Sequence, residues 1–301
     1  MFRAHALATV FGLSMFVGPD ASLGDGPVRR TIPEGTTARD CRVDVELAPL
    51  AEVLDGDGNL MTNLRADPES VARLPNAGAL FADSAADRAR MVAATECTGV
   101  GTLGKGVFAA YWLGVVHAAE GWQHLNRGEA RAAESHARET AAVGRALSGT
   151  HVVGAMVGSA LEAHALDLLE ASIEDLRLGE RAAVARSWLR RPDRVSIPAL
   201  LYNEAAGQEA LLAEACSSPS SVKLCLKARG WFPWRPMFDP AGVRALAAAL
   251  TQRPARPGEA LPARTDAVGV TRTVVDLVVE QAEIDRRLDA ALWPLLPTRL
   301  F

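Results

Sequence analysis

The 301-residue chain is poor in aromatic residues, in lysine and in net charge. Phe, Trp and Tyr make up only 5% of it, its formal net charge is −4, and most of its 32 basic residues are arginines. A protein that collects nucleic acid needs a strong positive field, so the composition predicts no nucleic-acid partner. With 49% hydrophobic residues, the chain can nevertheless bury a sizeable core.

The sequence also lacks the motifs that identify common catalytic and ligand-binding sites. It has neither a G-x-S-x-G nucleophile elbow nor an H-E-x-x-H zinc-protease motif. The glycine-rich string 99–106 contains G-x-x-x-x-G-K, but Gly106 stands where a P-loop needs Ser or Thr. The acidic string 55–59 lacks the later Gly and Glu of a calcium loop. These absences favour a non-catalytic protein, with an enzyme of unrecognised type as an alternative.

An apolar run at residues 6–18 follows Arg3 near the N-terminus. It is too short to cross a bilayer and has the length of a signal-peptide core. We predict a signal peptide at residues 1–24, with Ser22 and Gly24 at the −3 and −1 positions, and a periplasmic or secreted protein. The alternative is a buried N-terminal helix of a cytosolic protein. No later run predicts a transmembrane span.

Four cysteines are present, and no C-x-x-C motif occurs among them, which removes redox-motif and c-type haem interpretations. In an exported protein an even number of cysteines predicts two disulfides. The preferred local pair is Cys216 with Cys225, because the Ser-Ser-Pro-Ser-Ser sequence between them is turn-like. This choice leaves Cys41 to pair with Cys97. The alternative is four reduced, buried thiols.

Apolar residues at helical spacing dominate the chain from Ala79 onward, which predicts an all-α fold, either an irregular helical bundle or a short helical array. The predicted organisation is an irregular segment 25–76, a helical domain 77–251, a Pro-rich linker 252–265 and a docked C-terminal helix with its tail, 266–301. Asp239-Pro240 is typical of a helix start, and Asn126-Arg127-Gly128 of a turn between antiparallel helices. The predicted helices are 84–96, 105–125, 129–147, 152–178, 180–190, 197–215, 241–251 and 267–292.

Small residues recur in the hairpin at about residues 117–150. The spacing of Gly121, Gly128, Ala133 and Ala137 resembles one tetratricopeptide-type helical unit, in which small residues let two helices approach closely. This resemblance implies a TPR-like helical scaffold that binds peptides or other proteins. The alternative is an ordinary helical hairpin in an α bundle.

Three candidate metal ligands lie on one predicted helix. His117, Glu120 and His124 are spaced i, i+3 and i+7, so they project from nearly one face. The nearest further donors are Glu134 with His136, and Glu162 with His164, neither of which has the Glu-x-x-His spacing of di-iron bundles. The spacing makes these residues candidate ligands of a metal ion or haem. The alternative is a satisfied core histidine at position 117 with a half-exposed polar face around it.

The few aromatic residues concentrate in one irregular segment. Trp231, Phe232, Trp234 and Arg235 lie among prolines, and aromatic residues with arginine are common anchors of protein interfaces. The segment predicts a surface that binds another envelope protein or a peptide, and the alternative is that its rings cover the core. We therefore predict a non-catalytic exported or envelope-associated interaction scaffold, with the metal or haem protein as its first rival.

Overall fold

The structure, a computed structural model, describes residues 67–95, 107–149, 151–189, 194–217, 225–226, 237–267 and 269–296. These residues form helices and no strand, which confirms the all-α prediction. Numbered in chain order, the helices are α1 Pro68–Ala72, α2 Ala77–Asp83, α3 Ala85–Thr95, α4 Val107–Asn126, α5 Ala130–Ser148, α6 Val152–Asp175, α7 Leu178–Leu189, α8 Ile197–Ser217, α9 Pro240–Gln252 and α10 Val270–Leu292, followed by a 3₁₀ turn at Trp293–Leu295.

Two helices begin with the same aspartate-proline signal. The side chain of Asp239 accepts from the backbone N–H of Gly242 at 2.9 Å, and Pro240 occupies the first helical position of α9, as predicted. Asp67 and Pro68 do the same for α1, which lies in the segment that was predicted to be irregular. In both cases the carboxylate satisfies an otherwise unpaired amide, and proline supplies a helical φ.

The chain divides into two compact units. The described part of unit 1 comprises Ser148–Met156 and Val195–Ala282, with their gaps, and holds α8, α9, the start of α6 and most of α10. The Pro-rich segment 253–264 is not helical, and its residues Ala255, Leu261 and Ala263 pack against the core of this unit. That core is built from the apolar faces of α8, α9 and α10, including Leu201, Ala205, Val243, Leu246, Leu250, Val270 and Val274.

Unit 1 also contains a disulfide. Cys216, at the end of α8, is bonded to Cys225, with their Cα atoms 4.9 Å apart. The predicted local pair is therefore confirmed, and a disulfide is typical of proteins that fold in an oxidising environment. Cys41 and Cys97 lie outside the described residues, as do the signal-peptide segment 1–24 and the glycine-rich string 99–106.

Unit 2 comprises, among the described residues, 67–147, Val157–Arg194 and 283–296. Helices α1, α2 and α3 pack on α4, and α5 returns antiparallel to α4. Alanines on α5 meet leucines on α6 in a close-packed core, with contributions from α7 and the end of α10: Ala133, Ala137, Ala141, Leu166, Leu168, Leu169, Trp188, Ile284 and Leu288.

Helix α6 is long and apolar enough to cross a membrane by length and composition alone, with a mean hydropathy of 1.4 over its most apolar window. No transmembrane span was predicted at this position. In the structure 72% of that window is buried inside the protein, as expected of a helix that is hydrophobic all round and lies in a core.

Candidate metal centre

The turn between α4 and α5 sets the register of the hairpin. Gly128 has a φ of +77°, a left-handed conformation that glycine adopts without steric cost. Its N–H donates to the carbonyl of Leu125 at 2.8 Å, and the N–H of Glu129 donates to the carbonyl of His124 at 3.0 Å. The predicted turn at Asn126-Arg127-Gly128 therefore joins two antiparallel helices.

The two helices carry the same short motif at equal distances from this turn. His117 precedes Gly128 by eleven residues and Glu139 follows it by eleven, while Glu120 and His136 stand eight residues away on either side. Each helix thus has a His-x-x-Glu pair on its inner face. Because the helices run in opposite directions, each histidine faces the glutamate of the other helix.

Distances confirm this reciprocal pairing. His117 Nε2 lies 2.8 Å from Glu139 Oε2, and His136 Nε2 lies 3.9 Å from Glu120 Oε2. The first pair is a hydrogen bond in which the imidazole donates and the carboxylate accepts. The second is too long for a direct hydrogen bond, and the same Glu120 oxygen accepts from Arg88.

Gly121 allows the close approach that brings these motifs together. A Cβ at this position would lie 2.8 Å from the Cβ of His136 and 2.4 Å from Leu168 Cδ2, far inside van der Waals contact. Ala133 and Ala137 are fully buried on the facing helix. The small residues that resemble a tetratricopeptide unit therefore do let the helices approach.

Three imidazoles form a row along the hairpin. The ring centroids of His117 and His136 are 4.3 Å apart, and those of His136 and His124 are 5.2 Å apart with nearly parallel planes. His124 Nδ1 lies 2.5 Å from Glu129 Oε2. The row starts beside the turn, at His124, and ends in the protein interior, at His117.

The surroundings change the protonation of several of these groups. Burial, followed by the neighbouring His117, lowers the pKa of His136 to about 4, so at neutral pH this ring is uncharged and has a free electron pair. Its Nδ1 is buried and has no hydrogen-bond partner among the described residues. The hydrogen bond from His117 lowers the pKa of Glu139. Both glutamates that face the histidines are therefore anionic, since Arg88 outweighs burial and lowers the pKa of Glu120 as well.

Arg88, on α3, reaches the row from the side. Its guanidinium donates to the carbonyl of Phe81 at 2.7 Å and to Ser84 Oγ at 3.0 Å, which hold it in place. It also donates to Glu120, and its Nη1 lies 3.4 Å from His117 Nδ1. A pocket of about 480 Å³ opens here, with Arg88, His117, Glu120 and Glu139 facing an apolar wall of Ala85, Ala89 and Val92.

This arrangement brings the donors of a metal site near one another. Ligand atoms of His117, His136 and Glu139 lie within 4.8 Å of one another. In a tetrahedral zinc site with bonds of about 2.1 Å, ligand atoms are about 3.4 Å apart. The three side chains must therefore move closer together to bind an ion.

The structure places the sequence candidates in different environments. His117, Glu120 and His124 do share one face of α4, and they meet His136 and Glu139 across the hairpin. Two further candidate donors lie elsewhere: Glu134 accepts from Trp188 Nε1 at 2.9 Å, and Glu162 pairs with Arg194. The aromatic segment with Trp231, Phe232, Trp234 and Arg235 lies outside the described residues.

Sequence reasoning missed Glu139 and treated His136 only as a neighbouring donor. The signal that identifies both is the second His-x-x-Glu, at the same distance from Gly128 as the first.

No protein-family model matches the chain, and no curated protein or solved structure is significantly similar to it. The fold defines an all-α protein, and its function is argued from the hairpin alone.

Proposed function

We propose that this protein binds a divalent transition-metal ion through His117, His136 and Glu139 on the α4–α5 hairpin. The convergence of these three donor side chains to within 4.8 Å, from two different helices, carries the proposal. Imidazole combined with carboxylate favours Zn²⁺ and its transition-metal neighbours over Mg²⁺ or Ca²⁺. Glu120, opposite His136, is the nearest fourth donor.

The charge around the imidazoles also favours a cation. Glu120 and Glu139 each contribute a negative charge, and Arg88 contributes one positive charge. With neutral imidazoles, one negative charge is left over. The side chain of Glu120 is 26% exposed and that of Glu139 is 36% exposed. Water and salt therefore screen their attraction to a cation less than they would at an open surface.

Arg88 competes with a metal ion for the same electron pairs. Its Nη1 faces His117 Nδ1 at 3.4 Å, which favours the tautomer whose proton is on Nε2, the nitrogen that faces Glu139. A metal ion bound to Nε2 requires the other tautomer, so the single N–H proton of the neutral ring moves to Nδ1, where it opposes Arg88. We therefore expect metal binding to displace the guanidinium.

We also propose that the protein is periplasmic or secreted, as predicted from residues 1–24. The Cys216–Cys225 disulfide supports an oxidising environment in general. The interaction scaffold stays a prediction, because the aromatic residues on which it depends lie outside the described part of the chain.

Calorimetric titration of the chelator-stripped full chain with Zn²⁺ and Co²⁺, in excess Mg²⁺, tests the proposal. We expect one ion per chain in wild type. His136→Ala and Glu139→Gln should weaken binding by more than the roughly 10–100-fold that loss of an outer partner of a metal ligand costs. Arg88→Met should tighten binding, because it removes the competing cation.

His164→Ala is the matched control, since this histidine lies on α6 and is not one of the three converging donors. Its affinity should equal that of wild type. Folded wild-type protein that binds neither ion, or a His136→Ala variant that binds as tightly as wild type, would contradict the proposal.

A further inference from the structure

The row of imidazoles continues beyond the three proposed ligands. His124 stacks on His136 with an interplanar angle of 24°, and its Nδ1 contacts the carboxylate of Glu129 at 2.5 Å. His124 and Glu129 thus form a second imidazole–carboxylate pair, one ring away from the first. Its donor chemistry is the same as that of His117 with Glu139.

Solvent exposure falls step by step along this row. The side chains of His124, His136 and His117 are 26%, 16% and 7% exposed. Glu129, beside the turn, is 51% exposed and Glu139 is 36% exposed. The His124–Glu129 pair is therefore the most exposed imidazole–carboxylate pair of the row, and it lies beside the turn.

The imidazole rings of the row lie close together. Adjacent ring centroids are separated by 5.2 Å and 4.3 Å. A metal ion held by one ring is therefore near the next ring of the row.

We propose that His124 and Glu129 form a weaker, exposed metal-binding station through which the buried site is loaded from the turn end of the hairpin. This inference rests on the proposed metal-binding function. A pair with two protein donors holds an ion less tightly than three or four donors, so the ion moves on to the buried site. Removing a station on the route slows both loading and release, and leaves the equilibrium affinity nearly unchanged.

Stopped-flow mixing of the full chain with Co²⁺, followed by its absorption, measures these rates, and chelator competition measures release. His124→Asn removes the imidazole but keeps an amide N–H that can donate to Glu129. Glu129→Gln removes the carboxylate charge instead. Gln123→Ala, the neighbouring half-buried position on α4, is the matched control. We expect both station variants to load and release Co²⁺ more slowly, on the order of tenfold, at nearly constant Kd.

Each other outcome overturns the loading route. Variants that load as fast as wild type show that ions reach the buried site in another way, and the proposed function survives. A raised Kd with an unchanged association rate makes His124 an ordinary ligand of the buried site. Folded wild type that binds no Co²⁺ or Zn²⁺ overturns both proposals. Circular dichroism checks the fold, and Glu129→Gln carries the test alone if His124→Asn does not fold.

Discussion

Two polar clusters are buried in unit 2, and they differ in the nitrogen groups that face their carboxylates. Glu162, which is only 2% exposed, accepts from Nε and Nη2 of Arg194 at 2.8–3.1 Å, and Arg194 also reaches Asp285 at 2.7 Å. Between α4 and α5 the carboxylates face imidazoles, and Glu120 also accepts from Arg88. One cluster is a closed arginine–carboxylate fork, whereas the other has spare electron pairs.

The difference separates a structural cluster from one that can bind a ligand. Burial lowers the pKa of Arg194, but the hydrogen bonds and charges of Glu162 and Asp285 outweigh it and raise that pKa. A guanidinium held in this way keeps its protons and offers no electron pair. A neutral imidazole, in contrast, has an electron pair on one ring nitrogen and can bind a metal ion. We infer that the Glu162 cluster stabilises the fold and that the histidine row serves binding.

Breaking the arginine fork should have the largest effect on stability. Glu162→Gln leaves Arg194 buried with an incompletely compensated charge, so we expect it to reduce the free energy of unfolding by about 3–5 kcal/mol. Glu209→Gln is the control, because the Glu209–Arg244 pair is also a fork but both side chains are exposed, and it should have little effect. Urea denaturation measures both. Equal losses of unfolding free energy in the two variants would mean that burial does not distinguish the Glu162–Arg194 pair from the Glu209–Arg244 pair.

The histidine row should affect stability only when metal is present. An ion at 100 times its Kd should stabilise wild type by about 2.7 kcal/mol. His136→Ala should abolish this gain with little loss in the metal-free protein, because its Nδ1 has no partner among the described residues. Glu162→Gln should retain the gain. Thermal unfolding with and without Zn²⁺ checks this, and a zinc-dependent shift that persists in His136→Ala would contradict the comparison.

The next largest effect should come from a substitution that disturbs the packing of α4 against α5 at the histidine row. In Gly121→Ala the added methyl group would lie 2.8 Å from the Cβ of His136, so the helices must separate. We expect a loss of about 1–3 kcal/mol from overpacking, together with weaker metal binding. Gly78→Ala, where a Cβ meets nothing within 4 Å, is the control. Unchanged metal affinity in Gly121→Ala would show that the site tolerates a wider hairpin.

We expect the smallest change in stability from substitution of His151, a histidine whose ring nitrogen already has a hydrogen-bond partner. His151 Nδ1 accepts from the N–H of Gly154 at 3.0 Å at the start of α6, and burial lowers the pKa of His151 despite the opposing charge of Glu204. The unfolded chain takes up a proton near pH 6.5 while the folded protein does not. Stability is therefore full above that pH and falls as the pH drops toward the folded-state pKa.

In His151→Asn the side chain can still accept from the N–H of Gly154 at the start of α6, but it does not titrate. We therefore expect the stability of this variant to fall less than that of wild type between pH 7 and 5. The lowered pKa of His136 also makes stability depend on pH. This contribution is the same in wild type and in His151→Asn, so it cancels when their stabilities are compared. Parallel pH profiles of the two proteins would show that His151 is not responsible.

Helices were predictable because their signals are local. The apolar period and the caps at Asp239-Pro240 and Gly128 gave helix ends within a few residues of those in the structure. The same aspartate-proline signal at Asp67-Pro68 was overlooked within a segment rich in turn residues. The Cys216–Cys225 bond was predictable for a similar reason, since only a short turn separates the two residues.

The histidine row was only half predictable, because pairing across a hairpin depends on its register. One helix face presented His117, Glu120 and His124, but the choice among donors on other helices needed the position of the turn. Counting outward from Gly128 selects His136 and Glu139 and rejects Glu134. Arg88 is buried and Arg194 is partly buried, and both positions depend on tertiary packing, so no spacing in the sequence indicates them.

The mirror arrangement about Gly128 has a consequence for the order of folding events. All four donors that face each other lie within residues 117–139, so their encounter closes only a short loop and requires little chain entropy. Such local contacts form early and fast. We therefore expect a metal ion to organise the hairpin before the distant segments of α6 and α10 pack on it, and so to raise the folding rate as well as slow unfolding.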